Sequence, residues 1–416
     1  MEFFKLHHPA AYQLQLTTLR TFVAAVLLLL LCCHPVPAIE VNGIRFKEIF
    51  SFGDSYLDIG NRDPKNFTRT PVGPVNQAWI NPYGLTNPAV PTGRFCDGQV
   101  FSDILVCSSI GMMTAPADYI GLHPRPYILY EERPSTRKED GMNFAVGGSG
   151  VKDNLGFTKT RDQIAQLKTV INSGVYSETV YKESLILFTI SGNDYYAFLR
   201  NSQVIGLAVI SHSIYSCKSV VYLVVVFLNP RVKEIGIFIV AVVNQLVEDL
   251  KTLYNMGFRN FAVSTLPPLG CLPGVSAFTG SLSCLEVANV VSTTHNSLLK
   301  AMLTNSSSIL AAANLIILDN ELAFREILLN QIQTQFTSGL KACCKGSGSF
   351  NLCGDVDKAT RTPLYTLCSA NTISTYFFWD EVHPTQAGWR SVFNLFLGGE
   401  PFSFTNGKSL VQFLST

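Results

Sequence analysis

The chain has 416 residues, of which 47% are hydrophobic and 15% charged, and its formal net charge is +1. This composition excludes a disordered or polyelectrolyte chain and is sufficient for one large domain or two ordinary ones. A charge so close to zero gives no electrostatic basis for binding nucleic acid or an acidic membrane surface, so neither is expected as a partner.

Residues 1–38 have the pattern of a secretory signal peptide. Lys5 and Arg20 precede the apolar run Phe22–Cys33, and small residues end at Ala38. This run is shorter than the roughly 20 residues that a membrane-spanning helix needs, so no obligate membrane span is expected. An uncleaved anchor is the alternative interpretation. We therefore predict cleavage after Ala38 and an extracellular mature chain, residues 39–416, that forms a single domain.

Cysteines and glycosylation sequons bear on the compartment. Of the 11 cysteines, Cys32 and Cys33 fall within residues 1–38, which leaves an odd number in the mature chain. An odd number indicates a free thiol or a segment that is not native. Asn66 and Asn305 begin glycosylation sequons, which agree with secretion. No cysteine spacing resembles a zinc site, so no metal is expected.

Short apolar runs alternate with helical patterns along the chain. The predicted strands are Lys47–Phe52, Met142–Val146, Leu185–Ile190, Asn260–Ser264, Leu315–Leu318 and Tyr376–Trp379. The clearest predicted helices are about Val240–Met256, Cys284–Leu303 and Thr385–Phe396. This alternation predicts an α/β layer fold with a mainly parallel sheet.

The apolar segment at about residues 204–236 does not follow this alternation. It shows neither a helical stripe nor a clean period of two, and we treat it as an atypical insertion. A membrane helix, an additional hairpin and a translated intron are three alternatives for it. Removal of Cys217 with the segment would leave an even number of cysteines, which favours the last alternative.

Residues with catalytic chemistry follow several of the predicted strands. Ligands of parallel sheets bind beyond the carboxyl ends of the strands, so we expect these segments to meet. They are Gly53-Asp54-Ser55, Gly147-Gly148-Ser149, Ser191-Gly192-Asn193-Asp194 and Asp380 to His383.

Each of these segments also has a purely structural interpretation. Ser55 at the start of a predicted helix is either a nucleophile whose own N–H stabilises an oxyanion or an ordinary helix cap. Gly147 and Gly148 offer unhindered N–H donors or form a tight turn. Asn193 is a third possible oxyanion donor or a turn residue.

The spacing of Asp380 and His383 favours a catalytic base. A carboxylate three residues before the imidazole can hold its Nδ1–H and leave Nε2 free to accept the proton of a serine. Pro384 restricts the turn that follows. The other histidines outside the atypical segment and residues 1–38, His123 and His295, have no comparable acid beside them and are interpreted as structural.

Taken in order, the blocks Gly-Asp-Ser, Asn-Phe-Ala-x-Gly-Gly, Gly-Asn-Asp and Asp-x-x-His-Pro resemble the GDSL esterase/lipases of the SGNH hydrolase superfamily, in particular their secreted plant branch. The stretch Ser264–Pro273 is similar to a further block of that branch. The resemblance covers residues from Phe46 to about Leu397, apart from the atypical segment. It implies a three-layer α/β/α sandwich of the flavodoxin-like kind with a mainly parallel central sheet.

The resemblance also implies a role for each site residue. Ser55 would be the nucleophile, His383 the base and Asp380 the residue that orients it; Ser55, Gly148 and Asn193 would form the oxyanion hole. Two positions depart from the family pattern, because Arg62 replaces a second asparagine and Ser149 replaces an alanine. Neither departure touches a catalytic role in this interpretation.

The function that follows is a secreted serine esterase or lipase that acts on lipid, acylated small-molecule or cell-wall esters without a cofactor. An acyltransferase that uses the same triad is one alternative. A non-catalytic glycan- or lipid-binding homologue is the other, if the atypical segment after Asn193 disrupts the site. If the plant-type resemblance holds, the location would be the cell wall or apoplast.

Overall fold

The computed structural model describes residues 46–65, 69–70, 73–74, 77–106, 122–129, 140–152, 157–177, 179–201, 230–329, 335–348, 351–404 and 409–415. All of them belong to a compact unit formed by Val41–Ile110 and Asp118–Thr416. The predicted signal peptide, residues 1–38, lies outside the described residues, and so does Asn66.

A central sheet of seven strands organises the fold. The strands of the molecule are β1 (Glu48–Gly53), β2 (Arg69–Thr70), β3 (Gly73–Pro74), β4 (Arg125–Pro126), β5 (Gly141–Asn143), β6 (Ser184–Thr189), β7 (Asn260–Ser264), β8 (Asn314–Leu318), β9 (Cys344–Gly346), β10 (Tyr365–Leu367) and β11 (Ser403–Phe404). The order in the central sheet is β11-β8-β7-β6-β1-β5-β4. Six of these strands are parallel, and β11 pairs antiparallel with β8 at one edge.

Ten α-helices lie in the described part of the chain. They are α1 (Phe101–Val106), α2 (Thr160–Asn172), α3 (Val180–Glu183), α4 (Asn193–Asn201), α5 (Pro230–Asn255), α6 (Pro273–Ser276), α7 (Glu286–Leu303), α8 (Asn320–Leu329), α9 (Gln386–Gly398) and α10 (Leu410–Ser415). In one group α5 packs against α2 and α7, and in another α9 packs against α1, α8 and α10. The predicted fold class, an α/β sandwich with a mainly parallel central sheet, is confirmed.

The central strands are buried on both faces, as continuous apolar runs predict for a parallel sheet. In β1 and β6, Phe50, Phe52, Ile186 and Phe188 are completely buried. Their rings and aliphatic chains join one core that extends through α5, whose buried stripe includes Leu250. The stripe of apolar residues that predicted this helix is therefore its core-facing side.

Most predicted elements are confirmed, with shifts at their ends. Five of the six predicted strands correspond to β1, β5, β6, β7 and β8, and the three predicted helices correspond to α5, α7 and α9. The strand predicted at Tyr376–Trp379 is wrong, because Phe378 forms only isolated bridges with Ala342 and Pro384. Phe377, Phe378 and Trp379 are buried without joining the sheet.

The helix α5 begins ten residues before the predicted start at Val240. Residues 230–236 of the atypical segment are therefore helical, which corrects the irregular pattern expected for that end. The rest of the segment, residues 204–229, lies outside the described residues, so its three interpretations stay predictions. Within the described ranges, no helix has both the length and the apolar character of a membrane span.

Among the described residues, three disulfides are present: Cys271–Cys284, Cys343–Cys368 and Cys344–Cys353. Cysteines of the last two pairs lie in a second hydrophobic cluster, which we call the disulfide cluster. Its buried members are Ala78, Tyr83, Phe95, Cys343, Cys344, Cys353, Ile373 and Trp379. The antiparallel pair β9 and β10 connects the two cross-linked segments, because Leu367 lies opposite Cys344.

Candidate active site

The candidate site lies where three neighbouring central strands end. Ser55 comes two residues after β1, Gly148 follows β5, and Asn193 comes four residues after the end of β6. Because β1 lies between β5 and β6 in the sheet, these three segments converge at one edge. After β1 the chain first adds β4 and β5 on one side of this strand and then β6 on the other side. Such a reversal of the strand order is the switch point at which α/β folds bind ligands.

Ser55 lies in a single turn and not at the start of the predicted helix. The Leu57 and Asp58 N–H groups both donate to the Asp54 carbonyl at 3.0 Å, and no further helical turn follows. The chain leaves the helical path at Gly60, whose φ of +124° is unfavourable for other residues. Ser55 therefore has no helix dipole behind it, but its N–H lies at the start of this turn.

The Asp54 carboxylate connects the turn after β1 to the loop after β6. Its Oδ2 accepts hydrogen bonds from the Ser191 N–H at 2.6 Å, the Ser191 hydroxyl at 2.7 Å and Asn193 Nδ2 at 3.2 Å. Its Oδ1 accepts from the Tyr56 N–H at 3.1 Å. Burial raises the pKa of Asp54 to about 6, although these hydrogen bonds oppose the shift. Asp54 thus fixes the positions of Ser55 and Asn193 relative to each other.

Ser55, His383 and Asp380 form a continuous hydrogen-bonded chain. The Ser55 Oγ lies 2.8 Å from His383 Nε2, and His383 Nδ1 lies 2.7 Å from Asp380 Oδ2. All three residues are buried, with Ser55 5% and His383 8% exposed. The structure therefore brings together the three residues that sequence reasoning selected, although 328 positions separate the serine from the histidine.

Asp380 is held as a carboxylate by the groups around it. Burial alone would raise the pKa of Asp380, but attraction to His383 in its charged form and the hydrogen bonds to this carboxylate outweigh it, and the pKa is lowered. Among the donors are the Tyr83 hydroxyl, 2.7 Å from Oδ2, and the Val382 N–H, 2.9 Å from Oδ1. A carboxylate fixed in this way holds the imidazole with Nε2 facing the serine.

His383 reaches the site on a loop and not from the end of a strand. The loop turns back on itself, since the Trp379 N–H donates to the His383 carbonyl at 2.7 Å. Directly after it, Thr385 caps α9 through a hydrogen bond from the Gly388 N–H to its hydroxyl at 2.9 Å. On the other side, the Tyr56 hydroxyl donates to the Val382 carbonyl at 3.0 Å and ties the loop to the serine turn.

Two backbone N–H groups at the site are available to a ligand. Within the described part of the chain, neither the Ser55 N–H nor the Gly148 N–H has a hydrogen-bond partner. The neighbouring Gly147 N–H is occupied, because it donates to Asp58 Oδ2 at 2.7 Å. Gly148 has a φ of +89°, so glycine suits this position. Two unpaired donors in a buried site are what a developing oxyanion requires.

Asn193 is present at the site, but its amide is already bonded within the protein. Its Nδ2 donates to the Ser149 carbonyl at 2.9 Å and approaches Asp54 Oδ2 at 3.2 Å. These contacts orient the side chain across the loops that follow β5 and β6. Donation to an oxyanion would therefore replace or share the longer of the two bonds.

The other singled-out residues lie outside this arrangement. The Nδ1 atom of His295 lies 2.6 Å from the Tyr195 hydroxyl, and burial lowers the pKa of His295 to about 3. The His123 N–H bonds Asp140 at an exposed position, and Asn305 is exposed. Among the described residues, no group of three or more His, Cys, Asp or Glu side chains is placed to hold a metal ion.

Sequence reasoning missed several residues that support the site. Gln77 Nε2 donates to the Tyr83 hydroxyl at 2.9 Å, which in turn bonds Asp380, while the Phe95 ring lies 5.1 Å from the His383 ring. Tyr83 is 297 positions from Asp380, and no local pattern marks it. A role for Asp54 could have been predicted, because it is an acidic residue at the end of a strand and directly precedes the candidate nucleophile.

A parallel α/β sheet that carries hydrogen-bonded serine, histidine and aspartate at its carboxyl edge is typical of the serine hydrolases. A model of the GDSL-like lipase/acylhydrolase family matches residues 49–396. The chain therefore belongs to the GDSL-like lipase/acylhydrolase family and is a carboxylic ester hydrolase.

Relatives from plants agree with this assignment. Two GDSL esterase/lipases of Arabidopsis thaliana are 31% and 32% identical to the chain over 375 residues each; the matches cover 86% of the chain and 90% and 88% of the relatives. The GDSL esterase/lipase ENOD8 of Medicago truncatula is 25% identical over 407 residues, which cover 91% of the chain and 92% of that protein.

Proposed function

We propose that the protein hydrolyses carboxylic esters of lipids, acylated small molecules or cell-wall material through an acyl-enzyme formed on Ser55. The observation that carries this proposal is the 2.8 Å contact between Ser55 Oγ and His383 Nε2. In the first step His383 accepts the serine proton as Oγ attacks the ester carbonyl, and the protonated imidazole then gives that proton to the leaving alcohol. Water activated by His383 releases the acid in the second step.

The remaining roles follow from the hydrogen bonds at the site. Asp380 holds the His383 Nδ1–H and stabilises the imidazolium that forms during each step. The N–H groups of Ser55 and Gly148 donate to the oxyanion of the tetrahedral intermediate, and Asn193 adds a side-chain donor when its contact with Asp54 lengthens. This chemistry needs no metal or organic cofactor.

Labelling by a fluorophosphonate probe tests the nucleophile, because only an activated serine reacts. We expect the wild-type protein to be labelled and to hydrolyse a short-chain para-nitrophenyl ester, whereas Ser55→Ala should do neither. Asn193→Ala should retain measurable hydrolysis, since one oxyanion donor typically contributes about 10²- to 10³-fold in rate. Wild-type activity in Ser55→Ala would exclude the mechanism, and preferential transfer to an added alcohol would assign an acyltransferase instead.

We further propose that residues 39–416 form a single secreted domain, glycosylated at Asn66 and Asn305, in the cell wall or apoplast. The signal-like pattern of residues 1–38, the three disulfides and the exposed position of Asn305 support this proposal. Sequencing of the N-terminus of secreted protein should begin at Ile39. Asn305→Gln should remove one glycan from its mass, and an unprocessed N-terminus or an unchanged mass would contradict the corresponding part.

A further inference from the structure

Arg62 places a guanidinium group in the interior, and none of the described residues forms an ion pair with it. The residue is 5% exposed, and its Nε and Nη2 atoms have no hydrogen-bond partner among the described residues. Burial lowers the pKa of Arg62 to about 10, so the group stays charged at neutral pH. A buried charge without a partner is strongly destabilising, which makes this position unusual for a residue with only a packing role.

The guanidinium lies beside the proposed catalytic groups. Its Cζ is 5.3 Å from the centre of the Phe95 ring and 4.8 Å from that of the Phe157 ring. The Phe95 ring lies 5.1 Å from the His383 ring. Phe157 covers Gly148 so closely that a Cβ atom on this glycine would come within 2.9 Å of the ring. Arg62 is thus separated by one aromatic ring from the base and by another from a proposed oxyanion donor.

Neighbouring groups compensate the Arg62 charge only in part. The faces of the two phenylalanine rings attract a cation, and the Asp58 carboxylate raises the pKa of Arg62. However, the oxygens of Asp58 accept hydrogen bonds from the N–H groups of Gly60, Asn61 and Gly147. No neighbour among the described residues therefore supplies an acceptor for Nε and Nη2.

Nε and Nη2 form the edge with which an arginine binds both oxygens of a carboxylate or phosphate. Arg94 shows this use in the same molecule, since its Nε and Nη2 donate to the two oxygens of Asp103 at 2.7 Å each. Of the two rings that flank the guanidinium, Phe95 is buried and Phe157 is partly exposed. A substrate group that enters beside it would meet the unpaired edge of Arg62.

We propose that Arg62 binds an anionic group of the substrate, so that the protein prefers esters whose acyl or alcohol part carries a carboxylate or phosphate. This inference rests on the proposed function, because the preferred ester reacts at Ser55. It also gives a role to Arg62, which is one of the two residues that depart from the family pattern. The anion replaces the missing acceptor, and its charge compensates the buried guanidinium.

The test compares matched esters and Arg62 variants. For a charge on the acyl part, the pair is para-nitrophenyl hydrogen adipate and para-nitrophenyl hexanoate. For a charge on the alcohol part, it is monobutyrylglycerol phosphate and monobutyrylglycerol. We expect Arg62→Met to lower kcat/KM for at least one anionic ester by about 10- to 100-fold, while the neutral ester of that pair changes by less than about threefold. Arg62→Lys should retain part of the preference.

Arg259→Met is the matched control. Arg259 also lies over an aromatic ring, 4.1 Å from the centre of Tyr254, but it precedes β7 at the opposite edge of the sheet. Its removal should leave both kcat/KM values unchanged. If Arg62→Met changes the anionic and neutral esters by the same factor, or changes neither, the inference is wrong.

Binding to the Ser55→Ala variant separates this inference from the proposed function. Titration calorimetry with monomethyl adipate and with glycerol phosphate should show binding of at least one of them to Ser55→Ala. The additional change Arg62→Met should weaken that binding at least tenfold. Absence of probe labelling and hydrolysis in the wild-type protein would refute the proposed function alone, whereas equal or undetectable binding in both variants would refute the role of Arg62.

Discussion

The buried carboxylate of Asp58 connects the loop after β1 to the loop after β5. Asp58 accepts three backbone N–H bonds, two within its own turn and one from Gly147 after β5. Burial raises the pKa of Asp58 to about 6 despite these bonds. The folded protein therefore binds a proton at this residue over a pH range in which the unfolded chain has already released it.

This difference predicts how Asp58 affects stability as the pH changes. Because the folded pKa is raised, the stabilising contribution is complete below about pH 4 and is lost as the pH rises towards 6. Urea unfolding at pH 4 and pH 6.5 measures this loss as the free energy of unfolding of the wild type relative to that of Asp58→Asn. Between pH 4 and pH 6.5, the wild type should lose roughly 2–3 kcal/mol relative to the variant. Parallel curves for wild type and Asp58→Asn would contradict the prediction.

Tyr83 is expected to act through Asp380. Tyr83→Phe removes the hydroxyl that donates to Asp380 Oδ2 at 2.7 Å and accepts from Gln77. We expect kcat to fall about tenfold and the unfolding free energy to fall by about 1–2 kcal/mol. Steady-state kinetics should show almost no further loss when Tyr83→Phe is added to Asp380→Asn, since the two residues act as a unit.

Tyr176→Phe is the control for this prediction. Its hydroxyl is also buried but has no hydrogen-bond partner among the described residues. Its removal should leave kcat unchanged and should not destabilise the protein. A loss of kcat in Tyr83→Phe that persists in full in the Asp380→Asn background would show that Tyr83 acts independently of Asp380.

The elements show where sequence patterns succeed and where they fail. The strands before Ser55 and Asn193 could be predicted because their apolar runs are continuous and end in glycine or polar residues. Tyr376–Trp379 is also a continuous apolar run. However, the N–H groups of Cys343 and Cys344 donate hydrogen bonds to the Phe378 and Trp379 carbonyls outside the sheet. Burial of apolar residues is visible in the sequence, whereas the partner that buries them depends on contacts between distant segments.

The start of α9 determines how the His383 loop is held. Thr385→Ala removes the cap that accepts from the Gly388 N–H and also the bond from the Thr385 hydroxyl to the Tyr376 carbonyl. We expect a loss of about 1–2 kcal/mol in the free energy of unfolding and a lower kcat, because the cap lies two residues from His383. Thermal unfolding and kinetics should show that Thr385→Ser, which keeps the hydroxyl, retains both properties; equal losses in the two variants would exclude the cap as the cause.

At the scale of the whole molecule, the site has two halves with different supports. The central sheet positions the segments that carry Ser55, Gly148 and Asn193. The segment that carries Asp380 and His383 packs on the core around this sheet through Val382, but it also packs on the disulfide cluster, whose Tyr83 contacts Asp380 directly. The positions of Ser55, Gly148 and Asn193 could be predicted because they follow the ends of predicted strands. The support of Asp380 and His383 depends on disulfides, and the spacing of the cysteines does not determine how they pair.

Removal of different disulfides should therefore have different effects on catalysis. The double variant Cys344→Ser/Cys353→Ser loosens the segment beside Trp379, since the Cys344 N–H donates to the Trp379 carbonyl at 2.7 Å. Each double variant should lose about 2–5 kcal/mol of stability. Assays of folded protein at low temperature should show a larger fall in kcat for Cys344→Ser/Cys353→Ser than for Cys271→Ser/Cys284→Ser. Equal falls would contradict the division of the site into two halves.

The dependence of Asp380 and His383 on the disulfide cluster has a consequence for the maturation of the enzyme. In a chain with reduced cysteines, the segment that carries the proton acceptor of Ser55 would lose the two cross-links beside it, whereas the strands of the central sheet contain no disulfide cysteine. Such a chain should hydrolyse an ester more slowly than the oxidised protein. Full activity would then depend on formation of the Cys343–Cys368 and Cys344–Cys353 disulfides.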